Sequence, residues 1–230
     1  MVQEIDSIFQ NLPYDASLSG IKEAILTENI LNKKSISGRN KTLTFLKRMY
    51  GLDDSIPLYR IFRFFWKENE KERPMLALLY ALARDESLRV SADYILSLSC
   101  GDRSDKEVLI QHLHENLEGS FTDKTMKSMA ENLLSSWTQS GHLTGRLKKF
   151  RAKAVSGSAS LTFTLCLGAM MGQAGMMLLR TPWIPILDMT TTERDDALHN
   201  ASVQGLISYK AAGGMVEITL SDNLCSLGGL

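Results

Sequence analysis

Cysteine is sparse in this sequence and net charge is absent. The 230 residues hold three cysteines, Cys100, Cys166 and Cys225, with no Cys-x-x-Cys pair. That spacing excludes a zinc ribbon or a dithiol redox motif and points to a reduced, cytoplasmic compartment. The 26 basic side chains are balanced by 26 acidic ones. Any affinity for a polyanion must therefore come from how charge is distributed. Motifs that carry chemistry are missing as well. There is no P-loop, no GxGxxG following a strand, no HExxH and no GxSxG. His112 and His114 are two residues apart, beside Glu115. On a helix that spacing turns them to different faces, so they do not share a metal ion. His142 precedes a basic cluster, where it reads equally as a phosphate contact or a loop histidine. The carboxylates are scattered without a pair suited to acid–base work. No cofactor, no metal and no enzymatic activity are expected.

Long apolar runs are also lacking, with one exception. Leu161 to Leu179 carries no charge, but it is interrupted by Thr162, Thr164, Gly168, Gly172, Gln173 and Gly175. A membrane span is about 20 residues long and richer in Leu, Ile and Val. A buried helix or helix pair is the better reading, with no membrane partner. Met1 to Pro13 includes Glu4 and Asp6 and has no basic n-region, so it does not read as a secretory leader.

What is present is helical periodicity. Leu58, Ile61, Phe62 and Phe65 follow the i, i+3, i+4, i+7 rule, as do Met75, Leu78, Leu79 and Leu82 behind Pro74. Met126, Met129, Ala130, Leu133, Leu134 and Trp137 form a stripe three turns long. Polar breaks such as Glu68 to Arg73 and Gly101-Asp102 separate these stretches. The fold class read from this pattern is mainly α, a helical bundle with short connections. Length allows one large domain or two small ones. The division is placed at 1–155, a helical domain, and 156–230, a C-terminal subdomain beyond the hinge-like Ser156-Gly157-Ser158.

In the C-terminal part, Pro185 stops any helix running on from the apolar segment. Thr190 with Glu193 is a capping box for a helix over about 191–205. Two extended runs follow, Leu206 to Lys210 and Met215 to Leu220, joined through Gly213-Gly214, which suits a hairpin turn. That order is winged-helix-like. A helical subdomain with a separate hairpin fits equally. Ser221 to Leu230 reads as a disordered tail.

Charge is strongly uneven along the chain. Leu31 to Tyr50 contains Lys33, Lys34, Arg39, Lys41, Lys47 and Arg48 and no acid. Asn132 to Leu187 is also free of acids and holds Arg146, Lys148, Lys149, Arg151 and Lys153, with Arg180 further on. Two acid-free basic runs in a neutral chain favour phosphate binding over two merely solvated faces. The first run is organised further. Ile21, Ala24 and Ile25 belong to a helix from about Ser19. Asn32 to Lys34 form a turn, and Ser35 caps a second helix. Ile36, Leu43, Leu46 and Tyr50 lie on one side of that helix. Ser37, Lys41, Thr44 and Arg48 lie roughly opposite, with Asn40 close by. An apolar back and a polar, basic front are what a helix-turn-helix presents to a DNA groove. The acidic start of the later helix, with Asp188, Glu193, Asp195 and Asp196, opposes phosphate approach, so that helix caps the fold or meets a protein partner instead.

These features resemble the BrxA family of BREX phage-defence systems. The likeness lies mainly in Leu26-Thr27-Glu28-Asn29-Ile30-Leu31-Asn32-Lys33-Lys34-Ser35, which is similar to the family's "EEN-hydrophobic-L-x-K-x-S" passage. Arg39 and a helix ending near Leu46-Lys47-Arg48 follow it. Arg73 to Ala83 resembles the family's next hydrophobic helix, and Leu133 to Leu143, leading into the Arg/Lys stretch, a later one. The likeness spans about the first two-thirds of the chain. The longer C-terminal part, with its glycine- and methionine-rich stretch and hairpin, departs from it. The resemblance implies a small, mostly helical, non-enzymatic protein that binds double-stranded DNA alongside other proteins of the same defence system. The alternatives are a protein-interaction subunit whose basic runs meet acidic partners, and a membrane-associated protein using Leu161 to Leu179.

Overall fold

Polar breaks and good caps divide the chain into helices at the places where hydrophobic period and capping residues coincide. The computed structural model describes residues 2–13, 16–212 and 215–230. Helix α1 spans Val2–Asn11. Helix α2, Leu18–Glu23, runs into a π-helical turn, Ala24–Glu28. Asn29 then takes the left-handed conformation and ends it. Helix α3, Ile36–Tyr50, begins at Ser35, whose hydroxyl accepts from the Gly38 amide at 3.1 Å. Helices α4, Pro57–Glu68, and α5, Arg73–Arg84, each carry proline in their first turn, where the missing N–H costs nothing. Helix α6, Glu86–Ser97, is capped by Asp85. The remaining elements are strand β1, Arg103–Ser104; helices α7, Lys106–Asn116, and α8, Asp123–Gln139; strands β2, Leu143–Thr144, and β3, Lys149–Arg151; helices α9, Ser158–Met170, and α10, Thr191–Val203; strands β4, Ile207–Ala212, and β5, Met215–Leu220; and helix α11, Asp222–Gly228. The fold is mainly α, as the periodicity predicts.

The core centres on α4, α5 and α9. Phe62 lies 4.7 Å from Tyr80 and 5.1 Å from Trp66, ring to ring, and Phe163 of α9 closes on Phe62 and Phe65 at 6.3 Å. Each fully buried side chain of this size contributes roughly 2–3 kcal/mol over an exposed one. Leu161 to Gly168 are all buried, so the first half of the uncharged segment is interior, whereas Met171, Met176 and Met177 in its second half are exposed. Among the described residues no helix is long and apolar enough to cross a membrane. Helix α9 begins on the carboxylate of Glu72, which accepts from the Ser160 amide at 2.7 Å and its hydroxyl at 2.6 Å. The hinge-like Ser156-Gly157-Ser158 therefore marks no break in the core, because α9 packs against α4 and α5.

Two features of the C-terminal region depart from expectation. Ser221 to Leu230 is not a loose tail. Leu224 of α11 is fully buried, and the Leu227 carbonyl accepts from Arg60 Nε at 2.9 Å. A Cβ on Gly228 would lie 2.9 Å from Ile61 Cδ1, so α11 comes close to α4 at this glycine. The helix-then-hairpin order is present as α10, β4 and β5, with Ile207 paired to Leu220 and Ala212 to Met215. The Gly213-Gly214 turn itself lies outside the described residues. This hairpin forms a separate two-stranded sheet, whereas β1, β2 and β3 form a three-stranded one elsewhere.

Candidate nucleic-acid interface

The first basic run carries the expected Ser35-capped helix, but half of its charge is spent internally. Leu43, Leu46, Met49 and Tyr50 bury the back of α3, while Ser37, Asn40, Lys41, Thr44 and Arg48 are exposed. Ile36 does not belong to that apolar back; it is 70% exposed at the first turn. Lys33 Nζ pairs with Glu4 at 2.8 Å, and Arg39 Nη1 donates to the Leu26 carbonyl at 2.7 Å, so both tie α3 to preceding segments. Arg48 pairs with Asp85. Asn40 and Thr44 back-bond to the carbonyls of Ile36 and Asn40, at 3.1 and 2.9 Å. Among the described residues no ion pair holds Lys34, Lys41 or Lys47.

The second basic run is not one cluster. It is the β2–β3 hairpin, and its residues part company by strand alternation. Arg151 points inward and is buried, making a two-pronged pair to Asp188 at 2.8 and 2.9 Å. It is a fold residue, not a phosphate contact. Asp188 also accepts from the Ala154 amide at 3.0 Å, and these donors, with the Arg151 charge, outweigh desolvation and hold its carboxyl below the usual value. Lys153 pairs with Glu193. That lysine, together with the Thr190 donors of the capping box, lowers Glu193 to about 2. His142 is buried, too, with Nε2 donating to the Ile186 carbonyl at 2.8 Å and Nδ1 2.8 Å from Ser140 Oγ. Burial lowers it to about 4, so it is neutral and no phosphate ligand. What remains outward is the tip: Arg146, Leu147 and Lys148 are exposed, with Lys149 half-buried and its ammonium on the Gly145 carbonyl at 2.8 Å.

The hairpin is the end of a unit that the sequence did not reveal. Helix α6, strand β1, helices α7 and α8, and strands β2 and β3 follow one another, and the strands close antiparallel in the order β1-β3-β2. Arg103 faces Phe150 and Ser104 faces Lys149; on the other side Leu143 faces Arg151 and Thr144 faces Phe150. Helices α6, α7 and α8 pack on one another. Trp137 anchors α8, its indole donating to Ser91 Oγ of α6 at 2.8 Å. The other side of α8 presents Lys124, Ser128, Asn132, Ser135 and Gln139 to solvent. The two candidate helices are neighbours. A cavity of about 390 Å³ lies between α3 and α8, lined by Phe45 and Arg48 on one side and Lys124, Ser128 and Asn132 on the other. A second, of about 290 Å³, extends it past Lys41, Ser135 and Gln139. The first basic run thus adjoins a polar, hydroxyl- and amide-rich helix more than 70 residues further along the chain.

His112 Nε2 lies 2.9 Å from the Val90 carbonyl while His114 is exposed, in keeping with their different faces. Among the described residues no group of three or more His, Cys, Asp and Glu is placed to hold a metal ion. Comparison with known proteins gives no match to a family model, a curated protein or a solved structure.

Proposed function

We propose that this chain is a non-enzymatic binder of double-stranded DNA, and that α8 with the β2–β3 hairpin is its reading head. One observation carries the reading: the helix–strand–helix–helix–strand–strand order with a β1-β3-β2 sheet is the topology of a winged helix. In that arrangement α8 holds the recognition position and residues 145–148 form the wing. Ser128, Asn132, Ser135 and Gln139 on α8 are donors and acceptors suited to base edges or phosphates. Arg146 and Lys148 supply cations at the wing, and Lys41 and Lys34 of the α3 segment supply them alongside. The sequence pattern alone puts a winged-helix-like subdomain at 156–230; the element order favours residues 86–151 for it.

Placement in a phage-defence system rests on the BrxA-like passage at 26–35. Several of its residues have structural tasks in this fold: Asn29 brackets the turn with hydrogen bonds to both the amide and the carbonyl of Lys33, and Ser35 caps α3. A protein-partner role is favoured by a separate feature, the exposed Met171, Met176 and Met177 on and before the short 3-10 helix Gly175–Arg180, since methionine-rich surfaces adapt to partners. The two roles are compatible.

The test is duplex binding by fluorescence anisotropy across a salt series. A dissociation constant around micromolar, rising steeply with salt, is expected. Ser128→Glu places a carboxylate on the exposed face of α8 without touching the core and should weaken binding about tenfold or more. Lys210→Glu, on the exposed face of the β4–β5 hairpin, should leave it unchanged. Equal binding by parent and Ser128→Glu would remove α8 from the interface.

A further inference from the structure

Among the described residues, the most exposed large apolar side chain sits in an unexpected place. Leu147 is 94% exposed at the tip of the β2–β3 hairpin, between Arg146 and Lys148. Turn tips ordinarily carry Asn, Asp, Gly or Ser. The tip is also shaped. Gly145 has φ +97°, and a Cβ there would lie 2.1 Å from the Lys148 carbonyl oxygen, so only glycine permits this tight a turn. The Lys149 ammonium on the Gly145 carbonyl ties the base of the loop. Phe150 and Arg103 lie side by side on the sheet behind it, and both are exposed. The flanking sequence is basic: no acid occurs from Asn132 through Leu187, and Asp102, on the adjoining turn, directs its carboxylate to the Ser99 amide at 2.8 Å.

We infer that this tip is a wedge that enters the minor groove of DNA and bends it. Leu147 inserts at a base step, while Arg146 and Lys148 hold the phosphates on either side. The inference rests on the DNA-binding reading above. It adds a named apolar residue and a mechanical consequence, deformation of the duplex. An apolar residue flanked by cations on a stiff hairpin is what partial unstacking requires: the side chain occupies the opened step and the cations offset repulsion between phosphates drawn together by the bend. Bends of this origin run to about 20–90°, and the cost falls on flexible pyrimidine–purine steps, so preference should follow deformability more than base identity. An anionic lipid surface would also attract a leucine between two cations. DNA is favoured here because the tip belongs to the same sheet and helix unit as the acid-free, hydrogen-bonding face of α8 that carries Lys124, Ser128, Asn132 and Ser135.

The experiment uses the full chain and a duplex of about 30 base pairs carrying a fluorophore at each end, read for energy transfer and for anisotropy in one titration. Binding by the parent should raise energy transfer as the ends approach. Leu147→Ser should bind within about threefold of the parent but lose more than half of that rise, and Leu147→Phe should restore it. Arg146→Ala and Lys148→Ala should each weaken affinity and lower the salt slope by about one. If the parent binds with no change in transfer, or Leu147→Ser bends the duplex as the parent does, the wedge is wrong and the binding reading stands. If the parent binds no duplex at low salt, both fall. If the parent binds phosphatidylserine vesicles and Leu147→Ser releases them while duplex bending is unaltered, the tip is a lipid contact instead.

Discussion

Arg48 serves two masters, and the outcome decides how the α3 face is best tested. Its side chain is 64% exposed, yet its guanidinium pairs with Asp85, which is nearly buried. The other oxygen of Asp85 accepts from the Leu88 amide at 3.0 Å and from the Ser87 hydroxyl, capping α6. Burial raises the Asp85 pKa; Ser87, Arg48 and Leu88 together outweigh it and leave the carboxyl below its ordinary value. A depressed carboxylate contributes stability above its unfolded pKa and loses it as pH falls through the folded one. Asp85→Ala should therefore cost about 2 kcal/mol at neutral pH, measured by urea denaturation, and less in acid. Arg48→Glu would set two carboxylates together and report on folding, not on DNA, so Lys34 and Lys41 are the residues to reverse. His142 titrates with the opposite chemistry and the same direction. The folded imidazole stays neutral to about 4, whereas the unfolded one protonates near 6.5. The unfolded chain binds the extra proton, so stability should fall as pH drops from about 6.5 toward 4, and His142→Gln should flatten that slope above pH 5. Neither partner was legible beforehand: Asp85 is 37 positions from Arg48, and the Ile186 carbonyl 44 from His142.

Elements were legible in proportion to their length. The three-turn stripe of α8, the Ser35 cap and the Thr190–Glu193 capping box appear where local pattern placed them, because each depends on residues within one or two turns. The sheet β1-β3-β2 left no such signal. Its strands are two or three residues long, too short for alternation to register, and its pairings span up to 47 positions between Arg103 and Phe150. The longer run at 206–220 alternates visibly and drew the winged-helix reading to itself. Helix α11 was missed for a related reason: seven residues ending on a glycine carry little helical pattern, and the helix exists by packing on α4. Leu224→Ala should accordingly cost about 2–4 kcal/mol, seen as a lower denaturation midpoint with an unchanged slope. A negligible effect would mean that α11 adds nothing to the core.

For the whole molecule, neutrality and the proposed DNA binding are reconciled by segregation of charge. Acids take up cations both inward-facing and exposed: Glu4 holds Lys33, Asp85 holds Arg48, Asp188 holds Arg151 and Glu193 holds Lys153. The basic runs read from sequence thus overstate the usable charge, since a run records neither strand alternation nor a distant acid. The cations left for phosphates are Lys34, Lys41 and Lys47 near α3, Lys124 on α8, and Arg146 and Lys148 on the wing. Each phosphate neutralised releases its condensed counterions, and log K falls with log salt by about 0.9 per contact. Four to six contacts predict a slope of roughly −4 to −5. Lys41→Ala and Lys148→Ala, on separate elements, should each reduce its magnitude by about one, and the double variant by about two, because the sites are independent and neither lysine supports the core. Lys153→Ala removes a paired cation and should leave the slope where it was. If Lys153→Ala lowers the slope as much as Lys148→Ala, the Lys153–Glu193 pair opens on DNA and the segregation of charge is not what sets the footprint.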